Sequence, residues 1–274
     1  MPLSTIHIHW IYIWVLDDLL TVLKVPFDRG LVFITGANRG IGFHLLKQIL
    51  TELRPEVAVA TFRSSGNSKE LHELAAANKN VHLIQLDMKN YTKFSETAKI
   101  VEQVTGGGGL NLLINNAGIS SKLVPLKNAT VEEFHNNLQV NFLGPVLLTQ
   151  ALLPQLEKAS SNASSAPKGI GRAAVVNITA IMGSIGGNDA GGMVPYRCSK
   201  AALNAASKSM SVELKRSGII AVAVHPGWVK SSMGGPKAPL SVEEGVSGVV
   251  NVLKSLNETH SGKFLQYDGT TLPW

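Results

Sequence analysis

The sequence contains a single cysteine and few charged residues. Cys198 is the only cysteine among 274 residues, which excludes an internal disulfide, and only 16% of the chain is charged. The histidines show no metal-ligand spacing beyond the isolated His7 and His9, so we predict no metal site. The formal net charge of +6 comes from scattered residues without an aromatic-interleaved basic stripe, which argues against a nucleic-acid partner. A reduced, cytoplasmic location fits this composition.

A hydrophobic run long enough to span a membrane is also missing. Residues 6–16 are strongly apolar, but Asp17 and Asp18 end the run well short of the roughly 20 residues that a spanning helix needs. No Lys or Arg precedes the run and no small-residue cleavage site follows it, which disfavours a secretory signal. We interpret residues 1–29 as an apolar extension that packs on the body or is poorly ordered. Contact with a membrane or a partner through residues 6–16 and a wrongly chosen translation start are the alternatives.

Short apolar runs alternate with amphipathic stretches from residue 30 to residue 274. The runs lack polar alternation, which is typical of parallel strands with helices on both faces of the sheet. The pattern predicts a single α/β domain over residues 30–274, with a Rossmann-type, doubly wound, seven-stranded parallel sheet. The seven runs begin at Leu31, Val57, Val81, Asn111, Ala173, Ile219 and Lys263.

Local signals mark helix starts and connecting loops. Capping-box patterns at Thr130–Glu133 and Ser241–Glu244 predict two helix starts. The glycine-rich residues 105–109 and the small, polar residues 158–172 are predicted to be exposed connectors.

A glycine-rich segment, TGANRGIG, follows the first apolar run directly and precedes an amphipathic helical pattern. Glycines at a strand-to-helix turn let the backbone approach a pyrophosphate, which the helix N-terminus also attracts. We therefore predict a dinucleotide site, with a merely structural turn as the alternative. The cofactor-binding residues predicted here are Gly36, Asn38, Arg39, Gly40, Ile41 and Gly42.

The choice of cofactor follows from a missing acid. An NAD site usually carries an acidic residue near the end of the second strand, where this sequence reads TFRSS and contains Arg63 instead. Arg39 adds a second cation that can face a 2′-phosphate. We therefore predict NADP(H) as the cofactor, the alternative being that both arginines are merely solvated.

Tyr196 and Lys200 form a pair with helical spacing. Residues four apart on a helix share one face, and an ammonium near a phenol lowers the phenol pKa from its usual value of about 10. Tyr196 is therefore a predicted proton donor to a carbonyl oxygen that accepts hydride. A Tyr-x-x-x-Lys match alone is common by chance.

Taken in order, several motifs give a more specific signal. TGANRGIG, NNAG (Asn115–Gly118), Asn141, YRCSK and HPGWVKSS (His225–Ser232) together make the chain resemble the short-chain dehydrogenase/reductase family from about residue 30 onward. GGM, MGG and the final YDGTTLPW resemble its sniffer and C-factor-like carbonyl reductases. The resemblance implies an NADPH-dependent carbonyl reductase that acts on a small-molecule aldehyde or ketone and assembles as a homodimer or homotetramer.

The resemblance also implies further cofactor contacts. Asp87 would approach the adenine, although it could instead cap a helix. The loop after the fourth run would line the cofactor channel, and the loop after the sixth would meet the nicotinamide, unless Pro226-Gly227 is an ordinary turn. The residues concerned are Asn116, Ala117, Gly118, Pro226, Gly227, Val229 and Ser231, with Tyr196 and Lys200 also touching the cofactor.

The sequence predicts a helix around Asn141, which lies four residues before Pro145. That proline lacks the N–H that would bond the Asn141 carbonyl. A proline kink that serves packing alone would give the same pattern. The resemblance implies that the carbonyl holds a water on a proton relay from Tyr196 through Lys200 to solvent.

Ala180 departs from the family pattern. Aligned by its flanks, it occupies the position of the serine that helps to bind the substrate oxygen. Thr179 would need a local twist to substitute for that serine, because neighbouring strand residues point to opposite faces, whereas Ser184 in the following loop could swing in. The sequence therefore predicts either a slow or rewired reductase with Ser184 in the catalytic set, or an NADP(H)-binding regulatory or scaffold protein.

Overall fold

The computed structural model describes residues 30–120 and 125–274. Within these ranges, seven strands form one parallel sheet in the order β3-β2-β1-β4-β5-β6-β7, which confirms the predicted fold class. The predictions for residues 1–29, including the apolar residues 6–16, concern residues outside the described ones. The strands are β1 (Leu31–Ile34), β2 (Val57–Phe62), β3 (Val81–Gln85), β4 (Leu112–Asn115), β5 (Ala174–Ile178), β6 (Ile220–His225) and β7 (Phe264–Gln266).

Helices cover both faces of the sheet. On β1, Val32 and Ile34 pack into one apolar cluster and Phe33 into the other, as alternation along a strand requires. Helices α1, α2 and α7 pack on the first side, and α3 and α5 on the second. The helices are α1 (Gly40–Glu52), α2 (Lys69–Ala77), α3 (Phe94–Val104), α4 (Val131–Leu138), α5 (Gly144–Asn162), α6 (Val194–Glu213) and α7 (Val242–Ser255).

The strand order determines where a crevice opens at the edge of the sheet. Because β1 lies between β2 and β4, the crossovers that leave β1 and β4 run in opposite directions along the sheet. At such a switch point the loops after the two strands separate and leave a crevice at their carboxyl ends. Both predicted motifs, TGANRGIG and NNAG, follow these two strands. No helix in the described ranges is long and apolar enough to cross a membrane.

The predicted connectors differ from the observed ones. Helix α5 continues to Asn162, so the first residues of the expected 158–172 loop are helical. The reason is burial of this last turn, where Ala159 is buried and the Ser160 hydroxyl donates to the Ser217 carbonyl at 2.6 Å. Gly109, expected in a flexible connector, packs so closely on this turn that an added Cβ would lie 2.4 Å from the Ala159 nitrogen.

Both predicted capping boxes are present. The Ser241 hydroxyl accepts from the Glu244 N–H at 3.0 Å, and the Glu244 carboxylate accepts from the Ser241 N–H at 2.7 Å. The same reciprocal pair joins Thr130 and Glu133 at the start of α4.

We expect Ser241→Ala to lower the free energy of unfolding by about 1 kcal/mol, because the first turn of α7 loses its cap. Urea denaturation followed by circular dichroism measures the change. Ser255→Ala at the other end of the same helix is the control, since that hydroxyl only bonds the Val252 carbonyl at 2.9 Å. Equal losses in the two variants would contradict a specific capping effect.

Candidate active site

The turn between β1 and α1 depends on three glycines. Gly36 and Gly40 have φ values of +65° and +54°, in the left-handed region that disfavours side chains. Gly42 needs its glycine for space, because an added Cβ would lie 2.3 Å from the Gly36 carbonyl oxygen. The backbone can therefore fold tightly and lie open to a ligand in the way that a pyrophosphate requires.

The glycine turn is attached to the loop after β4. The Thr35 hydroxyl accepts from the backbone N–H groups of Asn116 and Ala117, each at 2.9 Å. The Asn116 side chain donates back to the Thr35 carbonyl at 2.9 Å, and an added Cβ on Gly36 would lie 3.0 Å from the Ala117 Cα. The two loops thus form one continuous floor across the switch point.

The N-terminus of α1 suits an anion. Its N-cap residue, Arg39, makes no capping side-chain hydrogen bond, and the first turn carries no acidic residue. The N–H groups of a first helical turn and the helix dipole favour negative charge. Ile41 packs against the apolar cluster beneath the helix, which fixes this turn on the sheet.

The charged residues predicted for the adenosine end lie at the carboxyl ends of β1 to β3. Arg39 donates to the Ser232 hydroxyl, and Arg63 is exposed directly after β2. The exposed Asp87 follows β3, where its carboxylate accepts from the Lys89 N–H at 2.9 Å. Asp87 therefore supports its own turn, whereas the N-cap of the short helix that follows is Asn90.

The loop after β6 folds back over the glycine turn. The Lys230 N–H donates to the Leu240 carbonyl at 2.8 Å, which closes the loop on itself. An added Cβ on Gly40 would meet the Ser231 Cβ at 4.0 Å, so the loop contacts the nucleotide side of the crevice. At its base, Gly227 has a φ of +84°. The predicted residues Pro226 and Val229 are buried there.

Tyr196 and Lys200 lie on α6 and are both buried. The Lys200 Nζ donates to the Ile178 carbonyl at the end of β5, at 2.9 Å, and lies 6.0 Å from the centroid of the Tyr196 ring. Gly183 packs on the same lysine, because an added Cβ would lie 2.8 Å from the Lys200 carbonyl carbon. Lys200 and, with it, this face of α6 are therefore held against the end of β5.

The protonation equilibria of this pair are set by burial. Burial raises the pKa of Tyr196 to about 12 and lowers the pKa of Lys200 to about 8. The direction for Tyr196 is opposite to the expected lowering, because the Lys200 ammonium donates to a carbonyl instead and desolvation dominates. A phenol with a raised pKa remains protonated at neutral pH.

Asn141 is completely buried and holds three elements together. Its side-chain oxygen accepts from the Ile119 N–H at 2.8 Å, and its amide nitrogen donates to the Ile119 carbonyl at 2.8 Å and to the Ser199 hydroxyl at 2.9 Å. It lies in a π-helical turn, Gln139–Leu143, which confirms that the helix departs from regular geometry before Pro145. An added Cβ on Gly118 would lie 3.3 Å from the Asn141 Oδ1.

The two hydroxyls nearest to Ala180 in the sequence already have hydrogen-bond partners. The Thr179 hydroxyl donates to the Lys200 carbonyl at 3.5 Å. Ser184 is buried, donates to the Pro273 carbonyl at 2.7 Å, and accepts from the Gly187 N–H at 2.9 Å. The Ser184 hydroxyl is therefore held by two hydrogen bonds, whereas its predicted catalytic role requires it to turn freely toward the substrate.

Two contributors were missed by reasoning from the sequence. Thr35 opens the quoted glycine motif, yet its role in joining the two loops depends on strand order. Ser199, directly before Lys200, donates to the Tyr196 carbonyl at 2.7 Å while it accepts from Asn141. The only available signal was their position inside motifs already selected on other grounds.

His225, at the end of β6, contributes no charge near neutral pH. Burial lowers its pKa to about 4, and its Nδ1 has no hydrogen-bond partner. Within the described ranges, no group of three His, Cys, Asp or Glu side chains could hold a metal ion. His7 and His9 lie outside these ranges.

Comparisons with known proteins agree with this geometry. The family model for short chain dehydrogenase matches residues 30–239. The C-signal protein of Myxococcus xanthus is 40% identical over 167 residues, or 61% of this chain and 94% of that protein. The carbonyl reductase Sniffer of D. melanogaster is 42% identical with a TM-score of 0.87, over 90% of this chain and all (100%) of that one. The NADPH-bound carbonyl reductase from chicken fatty liver is 36% identical with a TM-score of 0.84, over 90% and 99% of the two chains.

The family match covers the region in which the glycine turn, the Asn141 turn and the Tyr196–Lys200 helix lie. The sequence resemblance is therefore confirmed, including the likeness to sniffer-type reductases. The chain belongs to the short-chain dehydrogenase family of oxidoreductases.

Proposed function

We propose that this protein is an NADPH-dependent carbonyl reductase in which Tyr196 donates a proton to an aldehyde or ketone oxygen. The observation that carries the proposal is that Asn141 and Lys200, two of the four predicted catalytic residues, lie beside Gly118 in the loop after β4. An added Cβ on Gly118 would lie 3.3 Å from the Asn141 Oδ1 and 3.6 Å from the Lys200 Nζ. The reacting groups would thus meet where that loop lines the crevice.

The residues of the crevice fit a phosphorylated dinucleotide. Gly36 and Gly42 lie too close to neighbouring atoms for a side chain, and Gly40 has a φ of +54°, at a helix start without acidic residues. Arg39 and Arg63 provide cations at the ends of β1 and β2, where a 2′-phosphate would lie. The similar chicken protein is described as NADPH-bound, which supports the same assignment here.

When bound in the crevice, NADPH would supply the hydride that the carbonyl carbon accepts. Tyr196 holds the phenolic proton that passes to the carbonyl oxygen, and its high pKa keeps this proton in place until charge develops on that oxygen. Lys200 would stabilise the resulting tyrosinate and contact the ribose. Asn141 fixes Ile119 and Ser199 around the pair and would support proton return from solvent.

The alanine at position 180 removes one donor to the substrate oxygen. Loss of such a donor typically costs on the order of 10² to 10³ in rate, or about 3 to 4 kcal/mol. Tyr196 and the positioned cofactor would still operate, so we propose a slow enzyme.

A second candidate function is an NADP(H)-binding regulatory or scaffold protein with weakened catalysis. The observation that favours it is that both hydroxyls nearest to Ala180 in sequence, those of Thr179 and Ser184, are used elsewhere. A cytoplasmic location and assembly as a homodimer or homotetramer remain predictions for either function.

We expect Tyr196→Phe to abolish NADPH oxidation and Ala180→Ser to raise kcat about 10²-fold, because the variants remove the proton donor and restore a substrate-oxygen donor. The measurement is NADPH oxidation over a panel of aldehydes, ketones and quinones. NADPH affinity, measured by fluorescence, should be unchanged in Ala180→Ser. Turnover that survives Tyr196→Phe would refute the proposed mechanism. A silent native protein that binds NADPH, with activity gained in Ala180→Ser, would favour the regulatory function.

We expect Arg39→Ala and Arg63→Ala each to weaken NADPH binding about tenfold or more while NADH binding changes little, since only NADPH carries the 2′-phosphate. Fluorescence titration with both cofactors gives the dissociation constants. Arg216→Ala, an exposed arginine beyond the end of α6, is the control. If both cofactors weaken equally in the first two variants, the arginines do not select the phosphate.

We expect kcat/KM for NADPH to fall by about tenfold per pH unit above about 8, because this parameter reports the free enzyme and the Lys200 ammonium is lost there. The Tyr196 phenol, with a pKa of about 12, and the His225 ring, at about 4, do not titrate in this window. Initial rates from pH 6 to 10 provide the test. A profile that stays flat to pH 10 would contradict a role for the Lys200 ammonium. A fall that persists in Lys200→Met would assign the loss of activity to another group.

A further inference from the structure

The chain that follows β7 turns back toward the active site. The Gln266 N–H donates to the Thr270 carbonyl and the Leu272 N–H to the Phe264 carbonyl, each at 2.8 Å, so the chain reverses and runs along the edge of β7. The Trp274 ring stacks on the buried Phe264 ring with centroids 5.6 Å apart. Residues 271–274, here called the return segment, are thereby fixed to the sheet.

Ser184 joins this return segment to the loop after β5. Its hydroxyl donates to the Pro273 carbonyl and accepts from the Gly187 N–H, while the Gly186 N–H donates to the Trp274 carbonyl at 2.8 Å. A buried hydroxyl with both a donor and an acceptor partner is costly to remove, because its partners are left unpaired.

The opposite side of the same loop rests on the catalytic helix. Gly183 leaves no room for a side chain against Lys200, and the Asn204 side chain donates to the Gly183 carbonyl at 3.2 Å. The residues between Gly183 and Gly187 are therefore held between α6 on one side and the return segment on the other. Movement of the return segment would be transmitted to the loop beside Ala180.

Exposed apolar side chains gather on these segments. Ile181 and Ile185 flank Ser184 and are 44% and 79% exposed, and Trp274 is 38% exposed. Trp228 and Met233 are exposed on the loop after β6. This loop begins at the same edge of the sheet as the loop after β5, because β5 and β6 are paired in parallel. Large apolar groups left in water around a reaction site favour an apolar ligand.

We propose that Ser184 is a positioning residue. Its two hydrogen bonds, here called the clasp, hold the return segment against the loop after β5. The apolar wall so formed, consisting of Ile181, Ile185 and Trp274, takes the apolar body of the carbonyl substrate. This inference rests on the proposed reductase function and narrows it to aldehydes and ketones that carry a bulky aliphatic or aromatic group. Ser184 acts through the wall and does not replace the missing serine.

The test compares Ser184→Ala with Ser184→Thr, which keeps the hydroxyl, and with Ser160→Ala. Ser160 is a matched control, because it is a buried serine that donates to the Ser217 carbonyl and accepts from Arg172, away from the site on the amino-end side of β5. Straight-chain aldehydes from propanal to decanal are assayed. In the native protein, kcat/KM should rise about twofold to fourfold per added methylene.

In Ser184→Ala, we expect KM for decanal to rise about tenfold, with kcat, the KM for propanal and NADPH affinity within about twofold, because only the apolar body loses its wall. Ser184→Thr should recover much of this effect and Ser160→Ala should show none. Hydrogen exchange of the ligand-free protein should become faster over residues 184–193 in Ser184→Ala alone.

Several results would overturn the proposal. A native protein that reduces aldehydes without dependence on chain length has no apolar wall for substrate, and unchanged exchange in Ser184→Ala rules out the clasp. If Ile185→Asn alters the association state in sedimentation without changing KM, a second copy covers the wall instead. If the native protein reduces no carbonyl, the reductase proposal and the wall's substrate role fail together, while the exchange measurement still decides the clasp.

Discussion

The buried amide of Asn141 is the interaction on which the site geometry depends. It binds both the N–H and the carbonyl of Ile119, in the loop after β4, and it also donates to Ser199 on α6. Because Asn141 is fully buried, its own side-chain amide would lose hydrogen bonds that water cannot replace if these partners moved away. The sheet edge and the catalytic helix are therefore held in one fixed relation.

A second attachment extends this relation to the nucleotide side. Thr35 binds two consecutive N–H groups of the loop after β4, so the glycine turn and that loop move as one body. The same loop meets Lys200 through Gly118. The series of contacts that links the glycine turn to Tyr196 and Lys200 consequently runs through residues 115–119. This segment lies where the crossovers change direction.

Much of this arrangement could be predicted from the sequence because parallel strands bring their carboxyl ends to one edge. Once seven buried runs were recognised, the motifs after the first, fourth and sixth had to lie near one another. Tyr196 and Lys200 were likewise placed on one helix face by their spacing.

What could not be predicted depends on contacts between distant parts of the chain. Ser184 binds Pro273, 89 residues away, and no local pattern indicates that the chain after β7 returns to this loop. The raised pKa of Tyr196 follows from burial, which spacing alone does not report. The last turn of α5 also has a loop-like composition and is helical only because Ala159 and Ser160 are buried.

Whether another hydroxyl can replace the serine missing at position 180 depends on the partners that the nearby hydroxyls already have. Three hydroxyls lie close in sequence to the reacting residues, those of Thr179, Ser184 and Ser199, and each already donates to a backbone carbonyl. Freeing any one of them would break that hydrogen bond, at a net cost of about 0.5 to 1.5 kcal/mol. That cost would be subtracted from the stabilisation that one oxyanion donor supplies, about 3 to 4 kcal/mol. A rearranged hydroxyl would therefore recover only part of the rate lost at Ala180, and in the proposed mechanism Tyr196 is the donor to the substrate oxygen that needs no rearrangement.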